Sequence, residues 1–499
     1  MELQFQSNEI SCLRQIKGEV QTQEQTQELR LSDGMPDIGR VLCAWGQMVT
    51  RGKEWRPDAV GISCGVTVWV LYAPEDGSQC QCVETWLPMS LKWDIPEQEQ
   101  DGYIQCHCLL HSVDARTVSS RKLMVRASVG VLCRAYSPWQ IPVYSPEALP
   151  PDIRLKQKLS PVCLARESGE KAYMIDEELT LPDSAPAMEK LIRWSIQPEV
   201  AEQKVLGDKV IFRGNSLLHI LYRTPEGALT AWDFEIPFSQ YAELEQEYGH
   251  EARAWVDPMV TAMELTAHEQ GRLRLKAGLS GQYLIYDTQL LPAVEDAYSP
   301  HRQVTVHRQV LTVPAVLELQ SQRLRAEQTA AFGSSRIADT AFYPAMPHKQ
   351  RKPGEIAVEL PGQFQTLYYD GEGALQAGSA HWQDGIAMGI GEEAVMDVLC
   401  SAAGKPQAVP GESATGMRGE VMMETVTVSA EQWETVTGLT VGEQAEKDPA
   451  RPSVILRKAG QEGLWEIAKS SGSTVEAIQS ANGLQGEPDP DKILLIPVL

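Results

Sequence analysis

The amino-acid sequence predicts a mainly β protein: tandem β-sandwich-like repeats followed by a small β-α-α-β domain. Three observations carry this. Features of the first stretch recur at an offset of 150 residues and, more faintly, a third time. Within each copy, apolar and polar residues alternate with the period of two that strands require. From Val454 to Pro497 the pattern changes to two short helical runs framed by two strand-like ones.

The repeat opens with Leu29-Arg30-Leu31-Ser32-Asp33 and Pro36, answered by Leu179-Thr180-Leu181-Pro182-Asp183 and Pro186. Ile38, Val41 and Leu42, answered by Met188, Leu191 and Ile192, have i, i+3, i+4 spacing, which predicts a single helical turn. Ile62–Tyr72 aligns with Phe212–Tyr222 without a gap, and Glu84–Ser90 with Asp233–Ser239 after a one-residue slip. Leu123, Val125, Ala127 and Val129 fall opposite Leu273, Leu275, Ala277 and Leu279. The third copy keeps Leu367–Ala377 against Leu221–Ala231. Its opening turn is not recognisable, and Gln320–Lys352 is polar and Ala-rich instead.

Arg272, Arg274 and Lys276 alternate with Leu273, Leu275, Ala277 and Leu279, as in a strand with one wet face and one core face. Val66, Val68, Val70 and Tyr72 alternate with Thr67, Trp69 and Leu71, so that strand is apolar on both faces and belongs deep in a sheet pack. Thr224-Pro225-Glu226-Gly227 has the Pro and Gly positions of a type I turn, and Asp76-Gly77 and Asp370–Gly373 turn the chain at equivalent places. Strands at this spacing fit a sandwich or an open barrel in each repeat. Tyr72, Tyr222 and Tyr368, at matching positions, are expected in the core. The boundaries read as an N-terminal segment 1–28, repeats 29–150 and 178–300, a degenerate repeat 310–442, an acidic linker, and the terminal domain 453–499.

At 499 residues the chain holds about three or four domains by length, and its 43 % hydrophobic content is that of folded protein. A net charge of −23 argues against nucleic acid and anionic membrane as partners. Met1–Gln6 and the Gln/Thr/Glu-rich Gln21–Glu28 lack the basic and apolar regions of a signal peptide, and no apolar stretch is long enough to span a bilayer. A cytoplasmic protein is therefore expected. Cys80-Gln81-Cys82 and Cys106-His107-Cys108, near His111, could supply zinc ligands, but C-x-C on a strand lacks the knuckle spacing of structural zinc sites. All ten cysteines are expected to be reduced and metal-free. No cofactor is expected.

In the terminal domain, Leu464, Trp465, Ile467 and Ala468 give one helix an apolar side, and Val475 and Ile478 do so for a second. Ser473-Thr474-Val475-Glu476 has capping-box spacing, with Ser473 as the cap, and Asn482-Gly483 supplies a stop. Val454–Leu456 and Ile493–Ile496 are the flanking strands. With the closing Leu495-Ile496-Pro497, these residues resemble a LysM domain. The resemblance implies an N-acetylglucosamine groove between the turn before Leu464 and the loop after the second helix. Its candidate partner- or glycan-binding residues are Gln461, Glu462, Gly463, Asn482, Gly483 and Leu484. The family's usual Gly-Asp-Thr or Gly-Asp-Ser turn is here Gln461-Glu462-Gly463. Glu462 is expected to replace the Asp as a cap, while the altered turn reshapes the groove.

Tandem units opening Leu-x-Leu-x-Asp…Pro, each with a Leu-Tyr…Glu-Gly hairpin, followed by LysM, resemble the SipL family of clostridial spore-coat morphogenetic proteins, whose repeats are called SPOCS domains. The resemblance implies a mother-cell protein gathered at the forespore surface. It further implies a non-enzymatic adaptor that binds other coat proteins and joins the coat, through its LysM end, to a SpoIVA-like basement-layer ATPase. The alternative is a peptidoglycan- or N-acetylglucosamine-binding protein of the cortex or cell wall. Catalytic motifs are lacking: Ala402–Pro406 is no P-loop, and neither H-E-x-x-H nor G-x-S-x-G occurs.

Overall fold

The computed structural model describes residues 1–96, 101–146, 149–444 and 452–499. The expected acidic linker falls largely on 445–451, outside the described residues. The structure is mainly β. Unit one contains β1 (Glu2–Gln4), β2 (Gln6–Arg30), β3 (Ile38–Arg56), β4 (Ala59–Pro74), β5 (Gln81–Asp94), β6 (Tyr103–Ser119) and β7 (Lys122–Ser145). Unit two runs β8 (Arg154–Thr180), β9 (Lys190–Arg223), β10 (Leu229–Tyr248), β11 (Arg253–Ala267) and β12 (Arg272–Tyr298). Unit three runs β13 (Arg302–Ala330), β14 (Arg336–Pro344), β15 (His348–Lys352), β16 (Glu355–Tyr369), β17 (Leu375–Gly389), β18 (Val395–Val409) and β19 (Thr415–Gln444). The chain ends in β20 (Val454–Lys458), α1 (Leu464–Ser471), α2 (Val475–Asn482) and β21 (Ile493–Pro497).

Each unit has the same plan. Its first and last long strands pair antiparallel and the penultimate strand joins the last, giving β2-β7-β6, β8-β12-β11 and β13-β19-β18. The strands between form the second sheet: β3-β4-β5, β9-β10, and β14 and β15 on β16-β17. In unit two β9 covers what β3 and β4 cover in unit one, with Gly207 at φ 60° between its halves. The equivalent hairpin turns close with Gly77, Gly227 and Gly373 donating to Pro74, Thr224 and Asp370, each glycine at positive φ.

The units begin earlier than the expected boundaries. β2 pairs with β7 from Gln6–Ser145 to Arg30–Lys122, so residues before Leu29 form part of the first sheet. β8 likewise starts at Arg154 and β13 at Arg302. Gln21–Glu28 conceals its strand in a polar composition: its residues are alternately half-buried and exposed, so neither face needs an apolar side chain. The expected helical turns are also corrected. Ile38, Val41 and Leu42 lie on β3, where register shifts fall between Ile38 and Arg40 and between Val41 and Cys43. A bulge inserts one residue and changes the parity of a strand, so strand residues acquire a spacing that imitates a helix. In the second unit Leu191 and Ile192 are likewise strand residues, on β9.

The two-faced strand explains how units join. Val66, Val68, Val70 and Tyr72 of β4 pack in the core of unit one, between its two sheets. Trp69 and Leu71, on the other face, pack with Trp194, Ile196, Leu218 and Ile220 of unit two and Ala338, Ala341 and Leu367 of unit three. Thus one strand serves a domain core and an inter-unit core. The far ends of the long strands pack together too. One cluster there joins Cys12, Ile141, Leu164, Leu291 and Val313, and another joins Phe5, Val294, Val436 and Leu439. β1 pairs with β19 on the edge opposite β13, joining the N-terminal strand to the last unit.

Repeat positions carry repeat bonds. The Tyr72 hydroxyl donates to the Pro36 carbonyl at 3.0 Å and Tyr222 to Pro186 at 2.9 Å. In unit three Tyr368 stacks on Phe332 instead, with ring centroids 4.5 Å apart.

Candidate partner-binding surface

Charged groups fix the three units around a shared cavity of about 430 Å³, lined among others by Gln47, His107, Gln197, Asp257, Thr340 and Glu424. His107 of β6 sets Nδ1 2.9 Å from Asp257 of β11 and Nε2 2.7 Å from the Cys400 carbonyl of β18, touching all three units. A carbonyl only accepts, so Nε2 carries a hydrogen, and the carboxylate favours a second on Nδ1. Burial opposes that charge, but Asp257 and the carbonyl together hold the His107 pKa above its ordinary value. His219 lies between Asp233 (2.6 Å) and Asp339 (2.9 Å). Burial likewise opposes its charge, and Asp339 and Asp233 raise its pKa. Arg193 donates through Nε to Asp339 at 2.8 Å, and Lys405 pairs with Asp233. Most of these groups answer one another across the unit boundaries, which makes the junction a structural one.

The C-terminal module holds the residues singled out in the sequence. β20 and β21 pair antiparallel, Val454 opposite Pro497 and Leu456 opposite Leu495. Leu464, Ile467, Ala468, Ile478, Leu494 and Ile496 form the core between this sheet and the helices. α2 is capped by Thr474, whose hydroxyl accepts from the Ala477 N–H at 3.1 Å, one residue later than expected. Ser473 is buried and its hydroxyl has no partner among the described residues, because the chain turns at Gly472 with φ 64° and puts Thr474 at the cap. Gly483, at φ 61°, ends α2.

The six groove candidates lie on two neighbouring loops, but several serve the fold. The Asn482 amide donates to the Ile478 and Leu495 carbonyls, and its oxygen accepts from the Leu495 N–H, tying α2 to β21. Leu484 packs against the module core. Glu462 does not cap α1: its carboxylate takes Arg457 at 2.5 Å. Gly463 stands at the cap position without a side chain to use. The carboxylate that does so is Glu487, which accepts from the Leu464 N–H at 2.8 Å. It comes from the loop after α2, so it bridges the two loops and occupies the amide at the helix start, where a negative charge is favoured. Glu487 was missed in the sequence. Its signal was indirect, a helix whose cap residue is Gly.

Gln461 and Glu462 are exposed, and Gly460, at φ 67°, donates to the Pro490 carbonyl across the same gap. Trp465 does more than fill the module. Its ring meets Tyr298 of β12 edge-on at 4.7 Å, and its indole N–H donates to Asp296 at 2.9 Å. Lys469 pairs with the same carboxylate at 2.7 Å. Burial pushes the Asp296 pKa up, but Lys469 and Trp465 outweigh it and hold it below the ordinary value. One face of α1 is therefore docked on unit two. The outer face of the module's sheet is uncovered and aliphatic: Leu456 is 71 % and Ile493 68 % exposed, with Val454 and Leu495 beside them.

A family model described as SipL, SPOCS domain, matches residues 187–267. The match lies within unit two. The matched stretch covers β9, β10 and β11, leaving out both long strands of the unit. No curated protein and no solved structure matches the chain. The match supports a SipL-like, sporulation-coat protein. All ten cysteines are free thiols, and among the described residues no group of three or more His, Cys, Asp or Glu is placed to hold a metal ion. No helix among the described residues is long and apolar enough to cross a membrane.

Proposed function

We propose that this chain is a non-enzymatic morphogenetic adaptor of the spore coat. Three SPOCS units form its body, and a C-terminal LysM domain tethers it to a basement-layer ATPase at the forespore surface, on the mother-cell side. The observation that carries the reading is the SPOCS match on a unit whose strand plan recurs before and after it. Two features of the module favour a protein over a glycan as its ligand. Glu487 already takes the Leu464 amide in the groove, so an acetamide oxygen would have to displace a carboxylate. The sheet face beside it offers aliphatic surface of the kind proteins bury against each other.

The test is localisation of a fluorescent fusion in a sporulating cell of a spore former. A ring around the forespore that is lost on deleting residues 453–499 is the expected result. Diffuse fluorescence of the intact fusion, or saturable binding of the whole protein to purified peptidoglycan or chitin oligomers, would replace the adaptor with the wall-binding reading.

A further inference from the structure

The contact between the C-terminal module and unit two carries an inference that rests on the adaptor reading and adds its regulation. On β12 a register shift falls between Val294 and Asp296, which makes Glu295 an extra residue. A bulge re-aims the side chains that follow it. Val294 and Ala297 join the apolar cluster between the strand ends, whereas Asp296 and Tyr298, two residues apart on an extended strand, both meet the module. The last strands of units one and three end in Val143-Tyr144-Ser145 and Gly442-Glu443-Gln444, and neither end carries an acid two residues before an aromatic. The pair therefore belongs to the docking and not to the repeat.

On the module's side, α1 forms a carboxylate-binding site that is already occupied. Trp465 and Lys469 are four residues apart and share one helix face. The indole N–H donates to Asp296 Oδ2 at 2.9 Å, and the Lys469 ammonium donates to Oδ1 at 3.0 Å and to Oδ2 at 2.7 Å. Asp296 takes all of these bonds, and among the described residues Tyr298 is the one body residue in the module's apolar cluster. An aromatic side chain buries about 150–250 Å². A stable interface between separate proteins takes about 800 Å² from each. So small a contact holds because both sides belong to one chain, and a competing ligand can displace it. Release strands no charge on the body, since Arg308 also faces Asp296 at 3.4 Å. Among the described residues Lys469 has no second carboxylate, so once released it requires a new one.

We propose that Asp296 and Tyr298 are a built-in cover over a partner-binding site on α1. In the resting chain they occupy Trp465 and Lys469. An extended segment of the partner protein with the same chemistry, an acidic residue two before an aromatic one, displaces them. A helical segment does not fit, because residues two apart on a helix do not face the same way. A second copy of this chain is a poorer occupant, since its own Asp296 and Tyr298 are held by its own module and both chains would have to open.

Two substitutions break this contact from opposite sides, which separates a cover from a mere anchor. The full-length fusion carries Asp296→Ala, Lys469→Ala or deletion of 453–499, and forespore-bound fluorescence is read in sporulating cells. Lys469→Ala removes the partner site and should reduce the ring at least fivefold. Asp296→Ala uncovers that site, and its ring should be at least as bright as that of the unaltered fusion. In solution, a fluorescent peptide of residues 292–300 should bind purified full-length Asp296→Ala protein at least tenfold more tightly than the unaltered protein, by anisotropy. Adding Lys469→Ala should abolish that gain. If the deletion leaves the ring intact, the adaptor reading falls. If the deletion abolishes it while the two variants dim together, or while Lys469→Ala leaves it unchanged, the cover proposal alone falls. Equal peptide binding by the Asp296→Ala and unaltered proteins, or none by either, also overturns it. So does a stable complex between Asp296→Ala and Lys469→Ala chains, which would make a second copy the occupant.

Discussion

Removing one buried carboxylate should test how the repeats are held together. Asp339 of β14 has a fully buried side chain and accepts from Arg193 of β9 at 2.8 Å and from His219 at 2.9 Å. Burial alone would raise its pKa, but Arg193 and then His219 override that and hold it far below the usual carboxylate range. Asp339→Ala leaves the Arg193 guanidinium buried, against the Trp45 ring, without its counter-charge. Breaking a buried pair from one side costs about 3–5 kcal/mol. Arg193→Met is milder, since His219 still faces Asp339; about 1–3 kcal/mol is expected. Arg193→Met combined with Asp339→Leu strands no charge at this pair and should recover most of the loss. Urea denaturation read by tryptophan fluorescence measures all three. A cost below about 1 kcal/mol for Asp339→Ala would refute the argument that this ion pair clamps units two and three. So would a double variant no more stable than Asp339→Ala.

The pH dependence follows from the same junction. His107 and His219 have folded pKa values raised above their unfolded ones, so their contribution is complete below about pH 6.5 and is lost as pH rises through the folded values. Urea midpoints should therefore fall as pH rises above about 6.5, and the fall should flatten in a His107→Gln, His219→Gln protein. Tyr222→Phe removes the hydroxyl bond to Pro186 and should cost about 1 kcal/mol, as should Tyr72→Phe, while Tyr368→Phe should be nearly silent because Phe332 stacks on its ring. Burial pushes the Cys82, Cys133 and Cys400 thiols up to about 12, so thiol reagents should label them slowly in native protein and rapidly in urea. Fast native labelling of all three would contradict their placement.

How much of this was legible depended on range. Strand alternation at Leu273–Leu279, the Pro225–Gly227 turn and the Gly483 helix stop were readable because a few neighbouring residues decide them. The helical turn read at Ile38 failed for the same reason. Three apolar residues are too few to separate a helix from a bulged strand, and the bulge is set by pairing with β4. The cap of α2 moved from Ser473 to Thr474 because Gly472 fixes where the chain turns. At the module, Gln461 and Glu462 lie exposed on the turn before α1. The carboxylate that closes it, Glu487, is distant in sequence and visible only where the loops meet.

By itself, the sequence determined the β character of the chain, the recurrence of its units and the two short helices at its end. Each follows from local periodicity or from copies of one pattern, which a linear reading records. Tertiary structure alone decided that the polar segment before Leu29 is a strand, that Trp69 and Leu71 belong to a core shared by three units, and that Trp465 docks against Tyr298. It also decided which aliphatic residues stay uncovered. An apolar side chain records that burial is favourable, whereas the identity of the neighbour that buries it depends on how distant strands come together.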